Sequence, residues 1–165
     1  MGLDADFTIR VHWGEKDPIT GRGENHPMMD GWAISEHRLH VLRLRKHHRI
    51  HAWICNNVDK SANAWNAVLI DVASLKKLEQ TLKKFATDPE ALPACPKELW
   101  GEFFGSRPGE PWFEEELKYD MLNARKHAKK IRKMWKYIEK EKKKLAPDSL
   151  NLEHPIVDGY YLACW

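Results

Sequence analysis

The apolar residues of this chain follow a period of two in some segments and a helical period in others. The segment Asp6–Trp13, with the sequence DFTIRVHW, alternates apolar and polar residues and predicts a β-strand. Trp32–Ser35 and Ala64–Ile70 predict two further strands, and the terminal sequence YYLACW predicts a last one. These four segments together predict a small sheet.

Three segments have apolar residues at spacings of three and four, which predict helices. In the first, Glu36–Asn57, the apolar residues Leu42, Ile50, Trp53 and Ile54 fall at such spacings together with Lys46. The second follows Asp71, an N-cap residue, and its apolar positions are Val72, Leu75, Leu78, Leu82 and Phe85. The third, Pro111–Lys144, has a stripe of Leu117, Met121, Ala124, Ala128, Ile131, Trp135 and Ile138. Its first turn is acidic and its last turns are rich in lysine, as the helix dipole favours.

The order of these elements predicts an α+β fold. We expect a small, mostly antiparallel sheet covered by helices on one side, with one long basic helix near the C-terminus. A chain of 165 residues forms one domain of ordinary size, so residues 1–165 are predicted to be a single domain. Gly14–Gly31 and Thr87–Glu110 are rich in glycine and proline and are predicted to be loops.

Composition and charge narrow the possible partners. No segment approaches the roughly 20 apolar residues needed to cross a membrane, so no membrane partner is expected. The three cysteines, Cys55, Cys95 and Cys164, are odd in number and far apart, which indicates free thiols and a cytoplasmic location. The net charge of +3 conceals an asymmetry, because Leu117–Lys144 alone carries 12 Lys and Arg residues against 3 acids. Such a split favours an anionic partner.

Two segments carry the residue types of an anion-binding site. In the basic segment Arg43–Asn57, Arg45, Lys46 and Arg49 are suited to phosphate, with His51 as a tunable donor and Trp53 as a stacking surface. In the loop Gly101–Ser106, glycines flank two aromatic residues, so Phe103 or Phe104 could stack on a base while Ser106 and backbone N–H groups meet an oxyanion. The alternative is that the first segment is a solvated basic face and the second a packed loop.

Other chemistry has less support in the sequence. His47 and His51 are four residues apart and could supply half of a metal site, but no acidic residue in that segment completes the set, so no metal or other cofactor is expected. The motifs of the common hydrolases are missing, which favours binding over catalysis. The basic run Arg125–Lys144 could contact nucleic acid or an acidic protein, or it could simply be a solvated helix surface.

Several motifs, in order along the chain, resemble a family of small, uncharacterised proteins of bacteria and their phages. They begin with Met1-Gly2-Leu3-Asp4 and continue with Arg45-Lys46, Ile50-His51-Ala52-Trp53, Leu92-Pro93, Phe103-Phe104-Gly105-Ser106 and the acidic-aromatic segment around Trp112-Phe113. The chain departs from the family pattern at Leu44, His48 and Glu102. Because that pattern contains both the basic segment and the Phe-Phe-Gly-Ser loop, the resemblance implies that the two share one site.

The resemblance also implies a biological setting. We expect a phage counter-defence protein that binds and sequesters a small anionic, nucleotide-derived immune signal in the host cytoplasm. Such a protein could form a homo-oligomer whose subunits share the pockets. Two alternatives remain open at this point. One is an enzyme that degrades such a nucleotide, with His51 as general acid and base. The other is an inhibitor that binds protein or nucleic acid through its basic helix.

Overall fold

The computed structural model describes residues 4–12, 28–29, 32–33, 36–45, 47–64, 66–95, 109–144 and 156–164. In chain order its elements are β1 (Asp4–His12), β2 (Met28–Met29), β3 (Trp32–Ala33), β4 (Glu36–Arg45), α1 (His48–Asn57), β5 (Val68–Ile70), α2 (Val72–Phe85), α3 (Phe113–Lys144) and β6 (Ile156–Cys164). Short 3-10 turns occupy Lys60–Ala64 and Pro89–Ala91.

An antiparallel sheet of four strands forms the centre of the fold, in the order β4-β1-β6-β5. Period-two alternation places Ala5, Phe7, Ile9 and Val11 of β1 on one face, opposite Ala163, Tyr161, Gly159 and Val157 of β6. All of these residues are buried, and helices cover their face of the sheet. The predicted α+β fold with a long C-terminal helix is therefore confirmed.

The predicted helices α2 and α3 are also present. Asp71 caps α2 by accepting a hydrogen bond from the backbone N–H of Ser74 at 2.6 Å. The residues Leu75, Leu78, Leu82 and Phe85 of α2 are fully buried, as their helical spacing predicts. No described helix is long and apolar enough to span a membrane.

The prediction of one helix over Glu36–Asn57 is wrong for its first half, which is the strand β4. The helical spacing of α1 continues back through Lys46 to Leu42, and a β-bulge interrupts the alternation that marks a strand. Leu39 pairs with Ile9 and His40 with Thr8, but Leu42 pairs with Phe7, so Val41 is an extra residue in β4. The inward-facing leucines are therefore three residues apart at the bulge, a spacing that is typical of a helix.

Candidate ligand-binding site

A cavity formed by described residues lies beside the first turns of α3 and has a volume of about 510 Å³. We call it the α3 cavity, and it is lined by Arg45, Glu115, Glu116, Tyr119 and Asp120. Glu115 and Glu116 precede Tyr119 and Asp120 by about one turn, so the four α3 residues occupy one side of the helix. Pockets for small molecules commonly measure about 300–1,000 Å³, so the α3 cavity has a suitable size.

Asp120 is the most buried of the residues that line the α3 cavity, with 8% of its surface exposed. Burial raises the pKa of this carboxyl group to about 7; the nearby Arg49 opposes the shift and Glu116 adds to it. Near neutral pH, Asp120 is therefore present in both its protonated and ionised forms. Such a group can donate a hydrogen bond to a ligand in one form and accept one in the other.

His47 lies directly behind Asp120 and is the N-cap of α1. Its Nδ1 atom accepts a hydrogen bond from the backbone N–H of Ile50 at 3.4 Å, so the proton of the neutral ring is on Nε2. That Nε2 atom lies 3.8 Å from Oδ1 of Asp120 and has no hydrogen-bond partner among the described residues. Burial lowers the pKa of His47 well below its ordinary value, and the neighbouring His127, His48 and Arg49 lower it further. His47 is therefore neutral at physiological pH.

His127 of α3 completes this buried group of titratable side chains. Its ring centroid lies 5.7 Å from that of His47. Burial lowers the pKa of His127 to about 4, with smaller contributions from Lys126 and Lys130. Within the part of the chain that the structure describes, no three His, Cys, Asp or Glu side chains are arranged to hold a metal ion.

Arg49, a predicted phosphate ligand, is buried rather than presented on a solvated face. It is 4% exposed, and its Nη1 atom donates a hydrogen bond to the carbonyl oxygen of Leu92 at 3.0 Å. Its guanidinium carbon also lies 5.8 Å and 5.3 Å from the ring centres of Phe85 and Phe113. Arg49 and Trp53 both line a second cavity of about 130 Å³, which has room for only a small group.

His51, predicted to be a ligand donor or an acid/base, lies in the core. It is 0% exposed, its Nδ1 atom is 2.9 Å from the hydroxyl oxygen of Tyr161, and its Nε2 atom is 3.6 Å from Sγ of Cys55. Burial raises the pKa of the Cys55 thiol to about 11, so this cysteine is protonated and poorly nucleophilic. The contact with Tyr161 connects α1 with the central strand β6.

The predicted site residues thus fall into three groups. Arg45 lines the α3 cavity, Arg49 and Trp53 line the smaller cavity, and His51 is enclosed in the core. The remaining predicted residues, Lys46, Phe103, Phe104 and Ser106, lie outside the described residues. The structure therefore does not bring Arg45 and Arg49 together in one described cavity.

Sequence reasoning missed the α3 residues that line the α3 cavity. From the sequence, Glu115 and Glu116 complement the helix dipole and belong to the acidic-aromatic motif of the family pattern, and neither feature predicts a ligand contact. Asp120 carried the one signal that could have identified the site: it is four residues before Ala124 and eight before Ala128, so it lies on the buried face of α3. An acidic residue on the apolar face of a helix is costly to bury and frequently marks a functional site.

Comparisons of this chain with protein-family models, curated proteins and solved structures yield no match.

Proposed function

We propose that the protein binds a nucleoside-type ligand with at most one phosphate in the α3 cavity and holds it without converting it. The observation that carries the proposal is that an exposed aromatic ring and an exposed guanidinium line the same cavity of about 510 Å³. Tyr119 is 67% exposed and Arg45 is also exposed, so both are accessible to a ligand.

Each lining residue has a chemical role in this proposal. The ring of Tyr119 stacks on the base, an interaction that every nucleobase can make. The guanidinium of Arg45 binds the phosphate, for which its planar set of donors is well suited. The carboxyl groups of Glu115, Glu116 and Asp120 accept hydrogen bonds from base amino groups and sugar hydroxyls.

The charge of the α3 cavity sets the limit of one phosphate. Three carboxyl groups line the cavity beside one described lining cation, Arg45, and the buried Arg49 nearby already acts on Asp120, so each further phosphate would add repulsion. The proposed ligand therefore belongs to a narrower class than the anionic nucleotide that the basic segment predicts. The sequence resemblance supplies the proposed setting, in which a phage protein sequesters a nucleotide-derived signal of host defence.

Isothermal titration calorimetry tests the proposal. The panel comprises nucleosides, nucleoside monophosphates, nucleoside triphosphates, cyclic dinucleotides and cyclic ADP-ribose isomers. We expect binding of a nucleoside or a monophosphate and much weaker binding of the matching triphosphate. The absence of heat with every compound, or a preference for the triphosphate, would refute the proposal.

Variants identify the cavity that is occupied. Tyr119→Ala should weaken binding by about 5- to 100-fold, the effect expected when a base loses its stacking partner. Tyr137→Ala is the matched control, because Tyr137 is an exposed tyrosine five turns further along α3, about 27 Å away. Arg45→Ala should weaken binding of a monophosphate, whereas Arg43→Ala, which removes an exposed arginine from the same strand, should not.

An enzyme acting on the same ligand is the second candidate, and the raised pKa of Asp120 favours it. In that case Asp120, rather than the fully buried His51, is the acid/base group that faces the cavity. Incubation, denaturation and chromatography separate the two candidates. A holding protein returns its ligand unchanged, whereas an enzyme returns a product whose formation is lost in Asp120→Asn.

A further inference from the structure

The C-terminal half of α3 has a continuous positive surface that the α3 cavity does not use. At 100° per residue, nine cationic side chains from Arg125 to Lys144 fall within an arc of about 140°, and the eight of them without a described carboxylate partner span about 27 Å of the helix. We call this surface the basic stripe, and it consists of Arg125, Lys126, Lys129, Lys130, Lys133, Lys136, Lys140 and Lys143. All of these residues except the half-buried Lys130 are exposed.

The basic stripe faces away from the body of the protein. The buried residues of the same part of α3 are Ala124, Ala128, Ile131, Met134 and Ile138. Their helical positions are centred about 180° from the centre of the stripe. The apolar face packs against α2 and the sheet, so the stripe is presented to solvent.

The charges of the basic stripe are not neutralised by the described part of the protein. Other cations of this half of α3 have carboxylate partners: Arg132 pairs with Glu79, Lys142 with Asp158 and Lys144 with Glu141. In contrast, none of the eight stripe residues forms an ion pair with a described acidic residue. The acids Glu139 and Glu141 lie outside the arc of the stripe, and each pairs with another lysine.

We propose that the basic stripe binds the phosphate backbone of nucleic acid. One strand of a duplex has a phosphate about every 3.4 Å of axis, so about 27 Å of helix faces roughly eight phosphates. A straight helix that presents eight positive side chains matches such a regular line of negative phosphates. Binding releases condensed counterions, which makes the affinity strongly dependent on salt and independent of base sequence.

An acidic protein is a poorer match to this surface. Protein interfaces depend on a few well-packed aromatic or apolar anchors, surrounded by polar residues. Among the described residues from Arg125 to Lys143, the only large hydrophobic side chain that is exposed is Tyr137. A single tyrosine among lysines is also a usable stacking surface for an unpaired base.

Fluorescence anisotropy with labelled 20-nucleotide single strands and duplexes tests the proposal on the full chain. We expect binding at low salt that weakens by about 10²- to 10³-fold between 50 and 200 mM salt, the dependence of about four to six phosphate contacts. Equal affinity for single strands and duplexes of any sequence assigns the binding to the backbone, and tighter binding of single strands adds stacking on Tyr137. Failure to bind either form at 50 mM salt would overturn the proposal.

Charge reversal locates the binding surface. The double variant Lys133→Glu, Lys140→Glu should weaken binding at least tenfold and reduce its salt dependence. The control Lys60→Glu, Lys84→Glu makes the same change in net charge at two exposed lysines outside α3. An equal loss in the control, or equally tight binding of polyglutamate to the wild type, would show that the stripe is not a nucleic-acid site. Tyr119→Ala should leave this binding intact, so failure of the α3-cavity proposal and failure of this one are separable.

Discussion

The Nε2 atom of His47 lies 3.8 Å from Oδ1 of Asp120, and both side chains are almost fully buried. His47 is kept neutral by burial, and its other ring nitrogen is occupied by the N-terminus of α1. The Asp120 carboxyl group beside it therefore gains no positive charge from His47 that would favour its ionised form. Burial raises the pKa of Asp120 to about 7, and the neutral His47 supplies no positive charge to oppose that shift.

The first prediction is that Asp120→Asn stabilises the protein at high pH. The pKa of Asp120 is about 7 in the folded state, above its ordinary value of 3.8, so the folded state favours the protonated form. The cost of ionising this group begins as the pH rises above about 4 and is complete above about 7. The variant avoids this cost, so its free energy of unfolding should exceed that of the wild type by up to about 4 kcal/mol at pH 8.

Urea denaturation at pH 4 and pH 8 measures this difference. The advantage of Asp120→Asn should nearly vanish at pH 4, where the wild-type carboxyl group is protonated in the folded state. Glu115→Gln is the control, because it alters an exposed carboxyl group that lines the same cavity. A stability loss in Asp120→Asn that is equal at both pH values would contradict the assigned role of burial.

The second prediction concerns Glu79, a carboxylate of α2 that is only 2% exposed. Burial alone raises its pKa, but hydrogen bonds from Lys83, Trp135 and Arg132 outweigh that effect and lower the pKa to about 2. The pKa is thus depressed in the folded state. The stability that it contributes is present above about pH 4.5 and is lost as the pH falls towards 2.

Glu79→Gln should therefore lower the free energy of unfolding by about 2 kcal/mol at pH 7, and by progressively less under acid conditions. The expected loss in the free energy of unfolding is smaller than the full pKa shift would give, because Lys83 and Arg132 are partly exposed and screened by water. Chemical denaturation from pH 2 to pH 7 checks it. Glu139→Gln removes a more exposed pair with Lys76 and should cost less than about 1 kcal/mol; equal losses in the two variants would be evidence against the buried network.

The third prediction is that Gly159 cannot be replaced without a steric cost. A β-carbon at this position of β6 would lie 2.9 Å from Cε of Met134, and 3.1 Å from both Cδ1 of Ile138 and the carbonyl oxygen of Ile70. Gly159→Ala should lower stability by about 1–3 kcal/mol, the usual cost of overpacking a core. A double-mutant cycle with Met134→Ala measures the contact, because the penalty of Gly159→Ala should be smaller when Met134 is shortened. An unchanged penalty would assign the clash to Ile70 or Ile138.

The fold could be predicted from the sequence where one periodicity persists over many residues. The apolar stripes of α2 and α3 each extend over several turns, and their residues are buried as their spacing requires. The strand β4 could not be recognised in this way, because the bulge at Val41 changes the spacing of its inward-facing residues from two to three. A bulge depends on the partner strand, and that information is not local in sequence.

The candidate site could be predicted only in part, for a related reason. Arg45 was assigned from its residue type, and it does line the α3 cavity. Arg49 and His51 belong to the same basic segment, but α1 is buried along most of its length, so both residues make core contacts. Whether a cationic helix is solvated or enclosed depends on tertiary packing. The position of Asp120 on an apolar face was the stronger indicator of the cavity.

The last prediction tests the structural role of His51. Its Nδ1 atom is 2.9 Å from the hydroxyl oxygen of Tyr161, within a fully buried part of the core. Tyr161→Phe removes this hydroxyl group and keeps the ring that contacts Phe7 at a centroid distance of 5.0 Å. Loss of a buried hydrogen bond should lower the free energy of unfolding by about 1–2 kcal/mol.

Tyr160→Phe is the matched control, since Tyr160 is the preceding residue on the opposite face of β6, where Arg10 lies 4.2 Å from its ring centre. We expect this control to change stability by less than about 0.5 kcal/mol. Thermal unfolding measures both variants, and calorimetry with the ligand of the α3 cavity measures binding. Because His51 is enclosed in the core, Tyr161→Phe should weaken the fold while leaving ligand affinity within twofold of the wild type. The reverse result, intact stability with lost affinity, would assign His51 to the ligand rather than to the core.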